Sequence, residues 1–322
     1  MNAIYTAACC AMYLVAQREP AKAPAEADSE ERIFIGQPDG SGMKLLTELA
    51  DYRPQRSPTW SSDGKLIAFD AWRSARGEKS NDSKIIVVDA DSGEPKILGD
   101  GALPSFSPRA KRIVFSRFKP NPGVWVMSSE GPETELVQLD AEGWAAVWSP
   151  DGRQIAYTVP EGKPANLFVF DLVEGQKIAL FEEGKSPYKS FFWYFSWSPD
   201  SRRIVFKGQR SGSDKQEIGI VDARGAQHGL VTRFEGKNIW NLSWSSESNR
   251  IFFAQPVAKL GNRNQIFGMD ADTREEPARL VGQDPERGNS AAVFSPDGKR
   301  LLMISRKPTP GQNNPSKGTK AD

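Results

Sequence analysis

The chain has 322 residues, 38% apolar and 26% charged, enough to bury a sizeable core as one large domain or two ordinary ones. Its 42 lysines and arginines balance 41 acidic residues, so no net field would hold nucleic acid or an anionic membrane by bulk electrostatics. The only two cysteines, Cys9 and Cys10, are adjacent and can neither staple a core nor form a CxxC metal knuckle.

The first feature in chain order is an uncharged, mostly apolar run from Ala3 to Ala16. It has the length of a signal-peptide core and is too short for a comfortable membrane span. A small-x-small site at Ala25-Glu26-Ala27 follows Pro20 and Pro24. Residues 1–28 therefore read as a signal peptide or disordered leader, and the expected location is exported, periplasmic or extracellular. No Lys or Arg precedes the apolar run, and Thr6-Ala7-Ala8-Cys9 is a poor lipidation box.

Residues 32 to 48, from Arg32 to Glu48, carry a Pro-Asp-Gly-Ser-Gly turn between two short apolar stretches, the pattern of a hairpin. Beyond them an aromatic followed by Ser and a turn recurs: Trp60-Ser61-Ser62-Asp63-Gly64, Phe106-Ser107-Pro108, Trp148-Ser149-Pro150-Asp151-Gly152, Trp197-Ser198-Pro199-Asp200, Trp244-Ser245-Ser246-Glu247 and Phe294-Ser295-Pro296-Asp297-Gly298. Spacings of 46, 42, 49, 47 and 50 residues mark stacked supersecondary units. A β-branched or aromatic run follows each turn, as in Leu66-Ile67-Ala68-Phe69 and Arg203-Ile204-Val205-Phe206, which makes each unit begin with a hairpin. A second hairpin completes it, as in Lys84 to Asp89 with its turn at Ala90-Asp91-Ser92-Gly93. Four strands per repeat make a propeller blade.

The last repeat, Ala291 to Ser305, has a first hairpin and no second, whereas residues 32–48 are a second hairpin with no first. Pairing the two closes a ring of six blades and removes the free edges that template aggregation. The expected fold is all-β: a six-bladed β-propeller of four-stranded antiparallel blades over residues 29–308, with N-terminal strands completing the last blade. Residues 309–322 read as a disordered tail, Lys307 onward being Pro, Gly, Asn and Lys.

The string Ile33 to Thr47, followed by Ser57-Pro58-Thr59-Trp60-Ser61-Ser62-Asp63-Gly64-Lys65-Leu66-Ile67-Ala68-Phe69, resembles the repeat of the TolB-like β-propellers. The resemblance is strong in repeats one, three and six and degraded in two and five, where Arg109-Ala110 and Ser246-Glu247 replace the turn residues. It covers the propeller only; the α/β domain that precedes the propeller in TolB is not matched, nor is the hydrolase that follows it in peptidase relatives. The resemblance implies a binding scaffold with envelope protein partners, and such repeats specify a fold more firmly than a job.

No HExxH, Walker, GxGxxG or GxSxG motif is present, and His228 is the sole histidine, so a His-based triad or multi-histidine metal site is not expected. Asp89/Asp91 and Asp270/Asp272 fit hairpin turns better than calcium loops. The five residues ending at each repeat aromatic should line the axial channel, and across all six sets the only charge is Arg56. General acid–base work needs a titratable group in reach. The expectation is therefore no enzyme, no cofactor and no metal.

Four positions before the repeat aromatic stand Arg56, Ala102, Trp144, Trp193, Trp240 and Ser290. Strand alternation places these on the side of the repeat aromatics, which predicts an exposed arc of Trp144, Trp193 and Trp240 at one channel mouth, with Trp148, Trp197 and Trp244 buried. Tyr188, Phe191 and Phe192 join the arc from the loop entering blade four, and Arg56, Glu142, Lys189 and Lys237 are weaker rim candidates. Such rings suit a protein partner or, alternatively, a stacked carbohydrate; an enzyme acting at the rim is the third reading.

Overall fold

The computed structural model describes residues 30–73, 82–131, 135–159 and 165–308. The expected leader with its cysteines and the expected tail lie outside the described residues.

The first strands are β1 (Arg32–Gly36) and β2 (Lys44–Leu45). Blade one follows as β3 (Gln55–Trp60), β4 (Leu66–Trp72), β5 (Ser83–Asp89) and β6 (Pro95–Asp100), and blade two as β7 (Ala102–Phe106), β8 (Arg112–Arg117), β9 (Gly123–Ser128) and β10 (Val137–Asp140). Blade three comprises β11 (Trp144–Trp148), β12 (Gln154–Thr158), β13 (Leu167–Asp171) and β14 (Gln176–Ala179). Blade four comprises β15 (Tyr188–Trp197), β16 (Arg203–Arg210), β17 (Gln216–Asp222) and β18 (Leu230–Gly236). Blade five comprises β19 (Trp240–Trp244), β20 (Arg250–Val257), β21 (Arg263–Asp270) and β22 (Ala278–Arg279), and β23 (Gly288–Phe294) and β24 (Leu301–Arg306) complete the set. Each of the first five blades pairs its strands in chain order, while the sixth sheet runs β2-β1-β24-β23. The ring is thus closed from both ends of the chain, with Arg32 opposite Ser305 and Gly36 opposite Leu301.

The repeat motif builds the turn between the first two strands of a blade. The hydroxyls of Ser61, Ser149, Ser198 and Ser295 donate to Asp63, Asp151, Asp200 and Asp297 at 2.5–2.7 Å. Each also accepts the N–H five residues on, at 2.9 Å. Gly64, Gly152 and Gly298 take the left-handed conformation that closes this turn, and Ser201 takes it in blade four, where a side chain costs roughly 1 kcal/mol or more. Blades two and five lack the aspartate, and their Ser107 and Ser245 hydroxyls accept backbone N–H groups instead.

No single core fills the molecule. Six apolar clusters among the described residues each join two adjacent blades, such as Trp60, Phe69 and Ile86 with Leu302 and Ile304. The indoles of Trp60 and Trp197 donate to the inner-strand carbonyls of Val293 and Val147 in the preceding blade, both at 3.2 Å.

Candidate functional site

The inner strands β3, β7, β11, β15, β19 and β23 surround an axial cavity of about 160 Å³, walled mostly by serine, alanine, valine and proline. At the mouth where these strands begin, it meets a wider cavity of about 400 Å³. What lies there depends on an irregularity that every inner strand shares.

Each inner strand carries extra residues relative to its neighbour. Trp144 pairs with Thr158 and Trp148 with Ile155, so four steps on β11 match three on β12. The same bulge occurs in β3, β7 and β19, with Ser57, Leu103, Ala145 and Asn241 at positive φ of 41–58°. One inserted residue reverses the alternation of side chains. In β3, β7, β11 and β19 the residue four before the aromatic therefore lies on the opposite face of the sheet, and the placement expected from period two is corrected there.

Contrary to expectation Trp144 is buried, at 7% exposure, because it is held between Phe118 at 4.7 Å and Trp193 at 6.0 Å between ring centroids. Trp193 and Trp240 keep 50% and 45% of their surface, as expected. Tyr188 and Phe191 are buried, packed together and on Phe206 and Phe181; Phe191 also lines the mouth cavity, and Tyr188 does not. The Tyr188 hydroxyl donates to Glu217, and burial, then that carboxylate, push its pKa upward. Phe192 is half-buried and faces the mouth. Among the repeat aromatics, Trp197 and Trp244 are buried, whereas Trp148 is only half-buried.

Of the rim residues, Arg56 lines the mouth and pairs with Glu31 at 2.6 Å. Glu142, Lys189 and Lys237 do not line it; Lys237 pairs with Asp214 at 2.7 Å, and Lys189 donates to the Ser213 carbonyl. His228 is exposed in a single 3-10 turn. Asp89 and Asp270 each accept two N–H groups of their own hairpin turns.

Three functional candidates stand elsewhere. The residue that follows Phe69, Phe115, Tyr157, Phe206, Phe253 or Ile304 within each second strand is Asp70, Ser116, Thr158, Lys207, Ala254 or Ser305, and all six are buried. Asp70 and Ser116 cap the next blade's bulge, accepting the N–H groups of Leu103 at 3.1 Å and Ala145 at 2.8 Å. Burial raises the Asp70 pKa against the hydrogen bonds from the Trp72 indole and Leu103. It likewise raises that of Tyr194, which borders both cavities and feels the Asp70 charge.

Lys207 occupies the same repeat position in blade four but carries only donors. Its ammonium, 4% exposed, donates to the Ile239 carbonyl at 2.7 Å and stands 4.3 Å from the Phe192 ring centroid and 5.4 Å from that of Trp240. Burial lowers its pKa from 10.5 to about 8. Between these values the unfolded chain binds a proton that the native chain has released, so the burial penalty is full below pH 8 and is relieved as pH rises. Lys207 is thus mostly charged at pH 7 and mostly neutral at pH 9.5. Urea denaturation at those two pH values should show wild-type stability rising relative to Lys207→Met by about 2 kcal/mol. A constant difference between the two proteins would show the ammonium to be well solvated.

The model of the family described as the TolB β-propeller domain matches residues 136–316, more than half of the chain. Among solved structures, TolB from Acinetobacter baumannii is similar at a TM-score of 0.60 and 20% identity, over 87% of this chain and 65% of that one. This chain therefore spans less than two thirds of that protein's length. A chain of a nidogen/laminin complex is similar at 0.56 and 9% identity, over 87% and 100%. An oligogalacturonate lyase from Vibrio parahaemolyticus gives 0.54 and 11%, over 84% and 81%. At such identities these likenesses speak for the fold alone.

Proposed function

The chain belongs to the TolB β-propeller family, and from that membership we propose that it is a non-enzymatic scaffold that binds protein partners in the cell envelope through its channel mouth. The observation that carries the reading is the pair Trp193 and Trp240, half-exposed in a molecule whose other large aromatics are mostly packed between blades, beside a cavity of about 400 Å³. Tryptophans supply much contact area with little conformational entropy to lose, and they dominate binding hot spots. The opposite wall is polar, with Glu31, Arg56 and Arg306, so the mouth can orient a partner as well as hold it. Export is supported by the apolar run from Ala3 to Ala16. Among the described residues no helix is long and apolar enough to cross a membrane.

The double variant Trp193→Ala/Trp240→Ala should melt within a few degrees of wild type, because half-exposed side chains contribute about 1 kcal/mol or less. Acrylamide quenching of its remaining tryptophans should be much weaker. In cross-linking to envelope extract, partners captured by wild type should be lost from the variant. Identical capture by both proteins would exclude the mouth as the interface. Binding of the wild type to a glycan array alone would move the reading to carbohydrate.

A further inference from the structure

The mouth has an unbalanced charge. Its wall holds three cationic groups, Arg56, Lys207 and Arg306, against one carboxylate, Glu31, and that carboxylate is taken up by Arg56. Lys207 and Arg306 form no ion pair among the described residues. A buried ammonium is costly unless it is paired and fully hydrogen-bonded. Lys207 has one carbonyl acceptor for three N–H groups, and the faces of Phe192 and Trp240 compensate only part of the rest. Its lowered pKa reports the same deficit. Serine, threonine or alanine fills this repeat position in four other blades, so the fold has no need of a cation there.

We infer that the mouth is a carboxylate-binding site, in which Lys207 and Arg306 receive the carboxylate of a peptide segment while Trp193 and Trp240 hold its neighbouring side chain. The inference rests on the scaffold reading and specifies the chemistry of its ligand. Both amino-acid sources of a carboxylate, a free C-terminus and an Asp or Glu side chain, suit a cavity of this size. An incoming carboxylate supplies the missing acceptor in a desolvated place, where a charge-assisted hydrogen bond is stronger than in water. The aromatic wall then selects for an apolar neighbour.

The test uses the full chain, fluorescently labelled, on arrays of randomised tetrapeptides tethered by their N-termini. One set has free C-termini and no acidic residue, a second is amidated with one Asp or Glu, and a third is amidated without acid; oligogalacturonate spots form a fourth arm. Retention on either carboxylate set should exceed the neutral set at least tenfold. Lys207→Gln, which keeps a donor toward the Ile239 carbonyl, should lower that retention at least fivefold. Arg306→Gln on the exposed wall should lower it about threefold with an unchanged melting temperature, and this decides the matter should Lys207→Gln fold poorly. The first two sets identify the source of the carboxylate. Equal retention on the neutral set overturns the carboxylate site but leaves the scaffold standing. Absence of retention on every peptide set overturns both, and retention on oligogalacturonate alone replaces the peptide by an acidic sugar.

Discussion

Removing residues 1–51 should abolish the cooperative thermal transition and leave the protein aggregated or molten. The deletion takes away β1 and β2, hence the two outer strands of the sixth blade. Strand β24 would become a bare edge, and Leu301, Leu302, Met303 and Ile304, all buried in the intact ring, would lose cover from one side. Ile33 and Leu46 also leave the cluster between blades six and one. Each fully buried aliphatic side chain contributes about 1.5–3 kcal/mol, and with the lost backbone pairing the deficit approaches the whole stability of about 5–15 kcal/mol of an ordinary domain. An exposed apolar edge then templates association. Deleting only residues 1–27 leaves β1 in place and should retain the cooperative transition. Size-exclusion chromatography and circular dichroism melts decide the comparison, and a soluble, cooperatively melting product of the longer deletion would show that closure is dispensable.

Trp197→Ala should lower stability by about 3–5 kcal/mol, as deletion of a large buried ring does. The indole is 4% exposed, packs in the cluster joining blades three and four and bonds the Val147 carbonyl. Its removal opens a cavity and leaves that carbonyl without its side-chain partner. Trp148→Ala should cost distinctly less, because that ring is half-buried and its buried indole N–H finds no acceptor among the described residues. Urea denaturation of both variants measures the difference. Equal losses would mean that the six aromatics act alike whatever their exposure.

The blade count and the ring closure were legible because both are written in local chemistry: a Ser-Asp turn that fixes its own hydrogen bonds, and half-units that complement each other at the two ends. The mouth was legible only in part. Its register turns on bulges at Ser57, Leu103 and Ala145, residues with no special taste for positive φ, so nothing in the string warns that alternation breaks there. Trp240, behind the same bulge, keeps nearly half of its surface, and Trp144 loses its exposure to Phe118 and Trp193 on either side of it, contacts that the spacing of the repeats does not encode. Asp70 and Lys207 stand on second strands, outside the inner-strand pattern that marks the channel. Yet aligning the repeats on Phe69, Phe115, Tyr157, Phe206, Phe253 and Ile304 exposes the next position at once, with two charges where the other blades carry Ser, Thr or Ala. Tyr188 reads as a mouth aromatic like Phe191, which does line the cavity, since no pattern distinguishes a ring that closes a cavity from one that lies beneath it.

The register of the closing pair also has a mechanical side. Arg32 lies opposite Ser305 and Gly36 opposite Leu301, so the chain enters β1 and leaves β24 at the same end of the seam. Tension applied across Arg32 and Arg306 would load the paired residues one after another, as a zip is opened, instead of shearing all five at once. Pulled by these two residues, the propeller should therefore part first at the seam. Because β1 also supplies core between blades six and one, a load that parts the seam should unfold the ring as a whole.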